Sequence, residues 1–234
     1  GADAQELANP LTNLGTTFYR MQQHESAMDA FRDALKVLEA VADSADPRLV
    51  RPLSGLGLSL RALGRDEEAI VPLKRAVDIT RNREGLFAPS QLPLLRPLIG
   101  AYMNAGRSEE AGREQQYAYT LAENAWGRND VRLLGPLNDL ARWNESVGRY
   151  TMARMLYLRA VQVADSAPGS NPVLAVDGLR GVARSYLLAY VFGETEEAVA
   201  SASNTSMSDS MLQNAVNVPP SEGERALRVA IERL

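Results

Sequence analysis

The sequence has no cysteine and only one histidine, His24. Without cysteine the chain can form no disulfide, no thiolate nucleophile and no cysteine-based zinc site. A metal site would need several converging ligands, and the carboxylates that remain do not repeat as a cluster. These absences remove most thiol and metal chemistry, and they leave His24 as a candidate to be judged by its surroundings.

Long apolar runs and a strong charge of either sign are also missing. No run approaches the roughly 18 apolar residues that a membrane-spanning helix needs, and no signal peptide is visible at the start. The net charge of −4 gives no electrostatic reason to expect nucleic acid as a partner. We therefore predict a soluble protein that neither inserts into a membrane nor binds nucleic acid.

Lysine is scarce, since the 25 basic residues include only Lys36 and Lys74 and the rest are arginine. Arginine binds carboxylates as a planar fork, which suits recognition of acidic groups. A coding bias toward arginine explains the same composition equally well. The length of 234 residues suits one large domain or two small ones.

What the sequence does contain is a period of 42 residues along most of its length. Four independent columns of equivalent residues keep this period, which is hard to obtain by chance. The columns are Gly64, Gly106 and Gly148; Ala27, Ala69, Ala111 and Ala153; Ala34, Ala76, Ala118 and Ala160; and Leu14, Leu56, Leu98, Leu140 and Val182. The period predicts a structure of stacked copies of one small repeat.

Each repeat reads as two helices joined by a polar turn. The first helix carries apolar residues at i, i+3 and i+7, as in Leu53, Leu56 and Leu60, and these positions form one helical stripe. The turn, such as GRDEEA from Gly64, contains a glycine that permits the positive φ of a helix C-terminal cap. The second helix follows the pattern A-x-x-x-F/L/Y-x-x-A, in which small alanines let the paired helices approach closely.

Prolines and capping residues mark the helix starts. Asp46-Pro47 and Asn171-Pro172 each place a capping side chain before a proline at the first helical position. Kinks or late helix starts are expected where a further proline lies in or near a first helix. These prolines are Pro52, Pro97 and Pro136.

The columns resemble the tetratricopeptide repeat, whose core pattern is W-x₂-L-G-x₂-Y…A-x₃-F…P over 34 residues. The first repeat has the family's spacing, without its tryptophan and final proline, at Leu11, Leu14, Gly15, Phe18, Ala27, Phe31 and Ala34. The longer period is similar to that of kinesin light chains and their bacterial relatives. The stretch LNDLARWNESVGRYTMARMLYLRAVQVA, residues 137–164, resembles their consensus most closely. The resemblance implies an all-α fold, a right-handed α-α superhelix of about five helix-turn-helix repeats that binds protein.

On this basis we predict a solenoid over residues 1–192, with repeats at about 7–46, 47–88, 89–129, 130–170 and 171–192. The fifth repeat departs from the pattern, because its turn restarts three residues late at Gly193 and residues 193–220 are rich in serine and asparagine, which compete with helix. Whether residues 193–220 are helical or disordered stays open. Residues 221–234 begin a terminal amphipathic helix. That helix either docks on the fifth repeat or starts a continuation of the native chain, and we favour continuation.

The repeats argue against catalysis. His24 aligns with Asp66, Ser108 and Tyr150, so we interpret it as a solvated turn residue and not as part of a conserved pocket. The acidic pairs begin helices, where negative charge meets the positive end of the helix dipole. The glycine run from Ser54 to Gly64 lacks the preceding strand and the lysine ending of a phosphate loop. We predict no catalytic residue, no metal and no cofactor.

In the resembled family the first helix of each repeat lines a concave groove that binds peptides. The side of these helices opposite the buried stripe carries more arginine than acid. Asn13 and Asn138 match places where the family holds a ligand backbone, although Gly55, Pro97 and Gly181 leave an asparagine ladder incomplete. The candidate peptide-binding residues are Asn13, Thr16, Tyr19, Arg51, Arg61, Arg96, Met103, Asn138, Arg142, Arg180 and Arg184.

The favoured hypothesis is a non-catalytic scaffold whose groove binds a protein or peptide, acidic or with a free C-terminal carboxylate, held by arginine forks. In the alternative interpretation the arginines are solvated or pair with Glu145, Asp139 and Asp177. A second hypothesis is a self-association module of a larger bacterial protein, forming a homo-oligomer through the C-terminal helix. Both the bacterial cytoplasm and, if a leader has been removed, the periplasm stay open as compartments.

Overall fold

The structure is a computed structural model that describes residues 2–167 and 172–193, with side chains from Leu7 onward. Within these ranges the chain forms helices and turns, and no strand occurs. The all-α fold class predicted from the repeat columns is confirmed. The expectations for residues 194–234, including the terminal helix, and for the Asn171 cap lie outside the described residues.

The helices follow one another in pairs along the chain. They are α1 (Ala2–Arg20), α2 (His24–Glu39), α3 (Val50–Ala62), α4 (Asp66–Glu84), α5 (Leu92–Asn104), α6 (Ser108–Trp126), α7 (Leu134–Ser146), α8 (Tyr150–Asp165) and α9 (Val173–Phe192). The chain divides into two compact units, residues 1–114 and 115–234, and the division falls within α6. In the first unit α1 packs on α2, α2 on α3, α3 on α4 and α4 on α5. In the second unit α7 packs on α8 and α8 on α9.

A single 3-10 turn precedes each of α3, α5 and α7, at Pro47–Leu49, Pro89–Gln91 and Val131–Leu133. The turns give the late helix starts expected near Pro52 and Pro136, whereas Pro97 lies inside α5. The Asp46 carboxylate accepts the Arg48 backbone N–H at 2.8 Å, which confirms the predicted cap.

The core of each unit is built around a large side chain of a second helix that enters a glycine notch on the next first helix. In the first unit Phe31 is 3% exposed, and a Cβ added at Gly55 would lie 2.3 Å from its ring. In the second unit a Cβ at Gly181 would lie 2.4 Å from the ring of Tyr157. The repeats therefore stack closely only because these positions carry no side chain.

The first helix differs from its later copies. Leu14, expected in the buried stripe, is 44% exposed, whereas the equivalent Leu98 is fully buried. The helices α3 and α5 each pack on the helix before them, α2 and α4. Among the described residues no helix lies before α1. Thr12, which precedes the candidate residue Asn13 on α1, is buried, and its hydroxyl donates to the Ala8 carbonyl at 2.8 Å.

Candidate functional site

The first helices of neighbouring repeats lie side by side within each unit. In the first unit an Arg51 amino group of α3 donates to the Asn13 amide oxygen of α1 at 3.3 Å. Between α3 and α5, a Cβ at Gly100 would lie 2.5 Å from an Arg61 nitrogen. In the second unit Arg184 of α9 bonds Glu145 of α7. We call the eleven candidate peptide-binding residues, taken separately in each unit, the first-helix face.

In the first unit this face is accessible and carries positive charge. Asn13, Arg51 and Arg96 are exposed. Arg51 has a neutral partner only, and Arg96 has no hydrogen bond or ion pair among the residues that the structure describes. Two arginines of α3 and α5 therefore keep their capacity to bind a carboxylate.

The other residues of this face in the first unit are more enclosed. Thr16, Tyr19 and Met103 are half-buried, and the Thr16 hydroxyl donates to the Thr12 carbonyl at 2.9 Å. They offer a semi-apolar surface beside the arginines, not a row of polar anchors.

Arg61 is already engaged. Its Nε donates to the Asp66 carboxylate at 3.1 Å, and the Asn104 amide donates to the other oxygen of the same carboxylate at 3.0 Å. Asp66 thus begins α4, as its place in the sequence suggested, and also ties the end of α3 to the end of α5. Arg61 acts within this network and is not available as a ligand fork.

In the second unit Arg184 belongs to a three-residue cluster. Arg184 forms an ion pair with Glu145 at 2.8 Å, and the Glu145 side chain is 8% exposed. The Tyr157 hydroxyl donates to Glu145 at 3.1 Å and accepts from Arg184 at 2.8 Å. Burial, and then the nearby Glu145 charge, raise the pKa of Tyr157 to about 12, so the phenol stays protonated as the donor that the cluster requires.

The remaining arginines of the first-helix face in this unit also include one that is paired and one that is not. Arg142 forms an ion pair with Asp139. Arg180 is exposed and has no acidic partner within residues 115–167 and 172–193. Asn138 is half-buried, and its amide oxygen is buried without a hydrogen-bond partner among the described residues.

The two asparagines are not equivalent positions. By the repeat period Asn138 shares a column with Thr12, Arg96 and Arg180, one residue before the column of Asn13. Asn13 already accepts a hydrogen bond from Arg51, whereas the Asn138 oxygen has no partner in the described part of the chain. The two asparagines therefore do not form one ladder.

His24 is less solvated than its place in the turn suggested. It begins α2, is half-buried and lies edge-on to Tyr19, with ring centroids 5.3 Å apart. The described residues contain no group of three or more His, Asp or Glu side chains that could hold a metal ion. None of the helices described is long and apolar enough to cross a membrane.

Sequence reasoning missed most of the side chains that hold the arginines in place. It proposed Glu145 and Asp139 as partners, but not Asp66, Asn104 or the Tyr157 hydroxyl. A signal was available, because the polar pairs that join first helices in neighbouring repeats are separated by 38 or 39 residues, slightly less than the period.

The comparisons with known proteins agree with this architecture. Residues 6–82 match the sequence profile of the tetratricopeptide repeat family. No curated protein sequence matches the chain.

Several solved structures share the fold at low sequence identity. Nearly identical TPR-like repeats assigned to a kinesin light chain of Podosopora anserina give a TM-score of 0.73 at 16% identity, over 96% of this chain and 93% of that one. BtubC (BKLC) from P. vanneervenii gives 0.64 at 15%, over 99% and 89%. A MamA protein gives 0.63 at 15%, over 98% and 92%.

The family profile and the shared fold support one conclusion. Residues 6–82 carry tetratricopeptide repeats, and the chain shares the TPR-like fold of its kinesin-light-chain-like structural neighbours, as its columns predicted. Proteins of this family are typically non-catalytic, and their fold suggests a scaffold for protein interaction.

Proposed function

We propose that this protein is a non-catalytic scaffold that binds a protein or peptide segment along the first-helix face. The observation that supports the proposal is the uneven pairing of its arginines. Arg51 and Arg96 in the first unit, and Arg180 in the second, lack acidic partners in the described residues, whereas Arg61, Arg142 and Arg184 are paired. Accessible, uncompensated arginines favour an acidic ligand.

The ligand we propose is an acidic segment or one that ends in a free carboxylate. An arginine fork can donate two parallel hydrogen bonds to a carboxylate, which gives geometric specificity as well as affinity. In the first unit the half-buried Tyr19 and Met103 supply apolar area for the stems of such a segment. In this proposal the paired arginines form part of the surface but do not bind the ligand's carboxylate.

The test is fluorescence anisotropy of a labelled glutamate-rich peptide, with a free and with an amidated C-terminus. We expect the Arg51/Arg96→Gln double variant to bind roughly ten- to a hundredfold more weakly, since hydrogen bonds to charged groups contribute about 1.5–3 kcal/mol. Arg32/Arg113→Gln is the matched control, because it removes the same charge from exposed positions on second helices. Equal weakening in both variants would reduce the effect to overall charge and contradict the proposal.

Self-association is the second candidate function, and the end of α9 favours it. Four apolar side chains there are well exposed, namely Leu187 at 60%, Tyr190 at 81%, Val191 at 57% and Phe192 at 71%. Sedimentation velocity of the full chain and of a Tyr190/Phe192→Ser variant tests this candidate. A concentration-dependent oligomer that the variant loses would support self-association, and a monomer in both would exclude it.

A further inference from the structure

A cleft of about 290 Å³ lies in the first unit, where the start of α3, the end of α4 and the start of α5 meet. Its apolar lining includes Val50, Ile79 and Leu94, of which Ile79 and Leu94 are buried in the core. Binding sites in proteins are concave, mostly apolar and carry a few polar groups, and those for drug-sized ligands begin at roughly 300 Å³. This cleft therefore has the size for one amino-acid residue or a comparably small molecule.

Two arginines that form no ion pair within the described part of the chain line the same cleft. Arg83, near the end of α4, is exposed and has no hydrogen bond or ion pair within the described part of the chain, and Arg51 bonds only the neutral Asn13 amide. The neighbouring Arg81 shows the contrast, since it lies 3.6 Å from Asp78 and 3.7 Å from Glu114. Neither guanidinium group of the cleft is therefore held in an ion pair, and the carboxylate whose charge Arg83 senses, that of Asp46, is itself paired with Arg48.

The lining also contains one carboxylate, that of Glu84, which accepts a hydrogen bond from the Ser90 hydroxyl. The local balance of charged side chains in the lining is therefore positive by one. A fully hydrated anion such as phosphate would leave the apolar lining unused. A ligand that matches both the arginines and the apolar lining needs an anionic group that can accept two parallel hydrogen bonds, joined to one apolar group.

We propose that this cleft binds a carboxylate that carries one apolar side chain, with the carboxylate on Arg51 and Arg83 and the side chain on Val50, Ile79 and Leu94. Two sources supply this chemistry, a small free carboxylic acid and the C-terminal residue of a peptide. The inference does not depend on the proposed function. Arg83 belongs to a second helix, and Arg51 is the only residue that the cleft shares with the first-helix face.

The experiment titrates the ¹⁵N-labelled full chain with N-acetyl-leucine and with N-acetyl-leucinamide, followed by amide chemical shifts. The same titrations use a short alanine-rich peptide ending in leucine, once with a free carboxylate and once amidated. We expect the acids to shift amides around Val50, Thr80 and Glu84 and the amidated forms to bind far more weakly. Tighter binding of the peptide acid than of N-acetyl-leucine would identify a peptide C-terminus as the ligand, and equal binding would identify a small acid.

Two variants test whether Arg83 of the cleft contributes to binding beyond its charge alone. Arg83→Gln should weaken binding of the acids about ten- to a hundredfold, because it removes a charge-assisted hydrogen bond from an exposed position. Arg113→Gln, which removes the same charge from an exposed second-helix position outside both the cleft and the first-helix face, should leave the affinity unchanged. The proposal would be overturned by equal binding of the acids and the amides, by no binding at millimolar concentration, or by an Arg83→Gln variant that binds like the wild type. These outcomes are independent of the anisotropy experiment with the glutamate-rich peptide.

Discussion

Gln22 has a backbone conformation that its side chain disfavours. Its φ is 61°, and it occupies the turn position at which Gly64, Gly106 and Gly148 have φ of 73°, 74° and 77°. A residue with a Cβ in this left-handed region is disfavoured by roughly 1–2 kcal/mol. Glycine removes this penalty, but it also makes the unfolded chain more flexible, which offsets part of the gain in stability. We expect Gln22→Gly to raise the free energy of unfolding by about 0.5–1 kcal/mol, measured by thermal and urea denaturation followed by circular dichroism.

The adjacent Gln23 provides the control for this prediction. Its φ is −86°, so glycine there relieves no strain and only adds freedom to the unfolded chain. Gln23→Gly should therefore leave the melting midpoint unchanged or lower it. A stability gain in both variants, or in neither, would show that backbone strain at Gln22 is not the cause.

Asp130 shows how a local turn changes the titration of a carboxyl group. The Arg132 side chain and backbone N–H both donate to it, at 2.9 and 2.8 Å, and they lower its pKa from 3.8 to about 2. Because the folded-state pKa is the lower one, the stabilisation is present above pH 4 and is lost as the pH falls toward 2. NMR titration of the Asp130 carboxyl should give this low pKa, and Arg132→Gln should raise it only part of the way, since the backbone N–H remains.

At the scale of helices, the contact between Phe31 and Gly55 sets how closely α2 and α3 approach. A Cβ at position 55 would lie 2.3 Å from the Phe31 ring, so Gly55→Ala must push the two helices apart. Overpacking of this kind destabilises by roughly 1–3 kcal/mol, and we expect that loss in urea denaturation. In a Phe31→Leu background the loss should shrink, because the smaller side chain leaves room for the methyl group.

Gly135 of α7 is the matched glycine for this experiment. A Cβ there would meet nothing within 4 Å, so Gly135→Ala should be neutral or stabilising by about 0.5 kcal/mol. If Gly55→Ala and Gly135→Ala changed stability alike, helix propensity and not the close approach would account for both.

The helices could be predicted from sequence because their stripes and turn glycines recur at a fixed step. The Phe31–Gly55 and Tyr157–Gly181 contacts could not, since each joins a second helix to the following repeat and depends on the angle between them. The 3-10 turns before α3, α5 and α7 were also missed, although late helix starts were expected. Leu14 was placed in the buried stripe because its column is apolar in every repeat, but its side chain is 44% exposed on the first helix, before which the described residues supply no helix.

For the whole molecule, the sequence predicted the repeat class and proposed a set of first-helix arginines as candidates for binding. It could not decide which of them act on a partner. Arg61, Arg142 and Arg184 look like Arg51 and Arg96 in the sequence. Asp139 lies three residues before Arg142 on the same helix and Asp66 lies across the turn from Arg61, whereas Arg184 receives Glu145 from the neighbouring first helix only through packing. The Arg83 cleft was missed for a similar reason, because it joins the ends of three helices that no single motif links.

The repeat architecture also predicts how damage spreads through the molecule. In a repeat protein each repeat contacts only its neighbours, so stability is close to a sum of local terms. Phe31 packs within α1–α3, whereas α8 packs on α7 and α9 in the second unit. Phe31→Ala, which opens a core position at a loss of roughly 3–5 kcal/mol, should therefore weaken amide hydrogen-exchange protection in α1–α3 and leave α8 and α9 protected. Tyr157→Ala should produce the reverse pattern, with the loss in α7–α9. Uniform loss of protection from either substitution would mean that the two units unfold as one cooperative body, and the nearest-neighbour description would then fail for this protein.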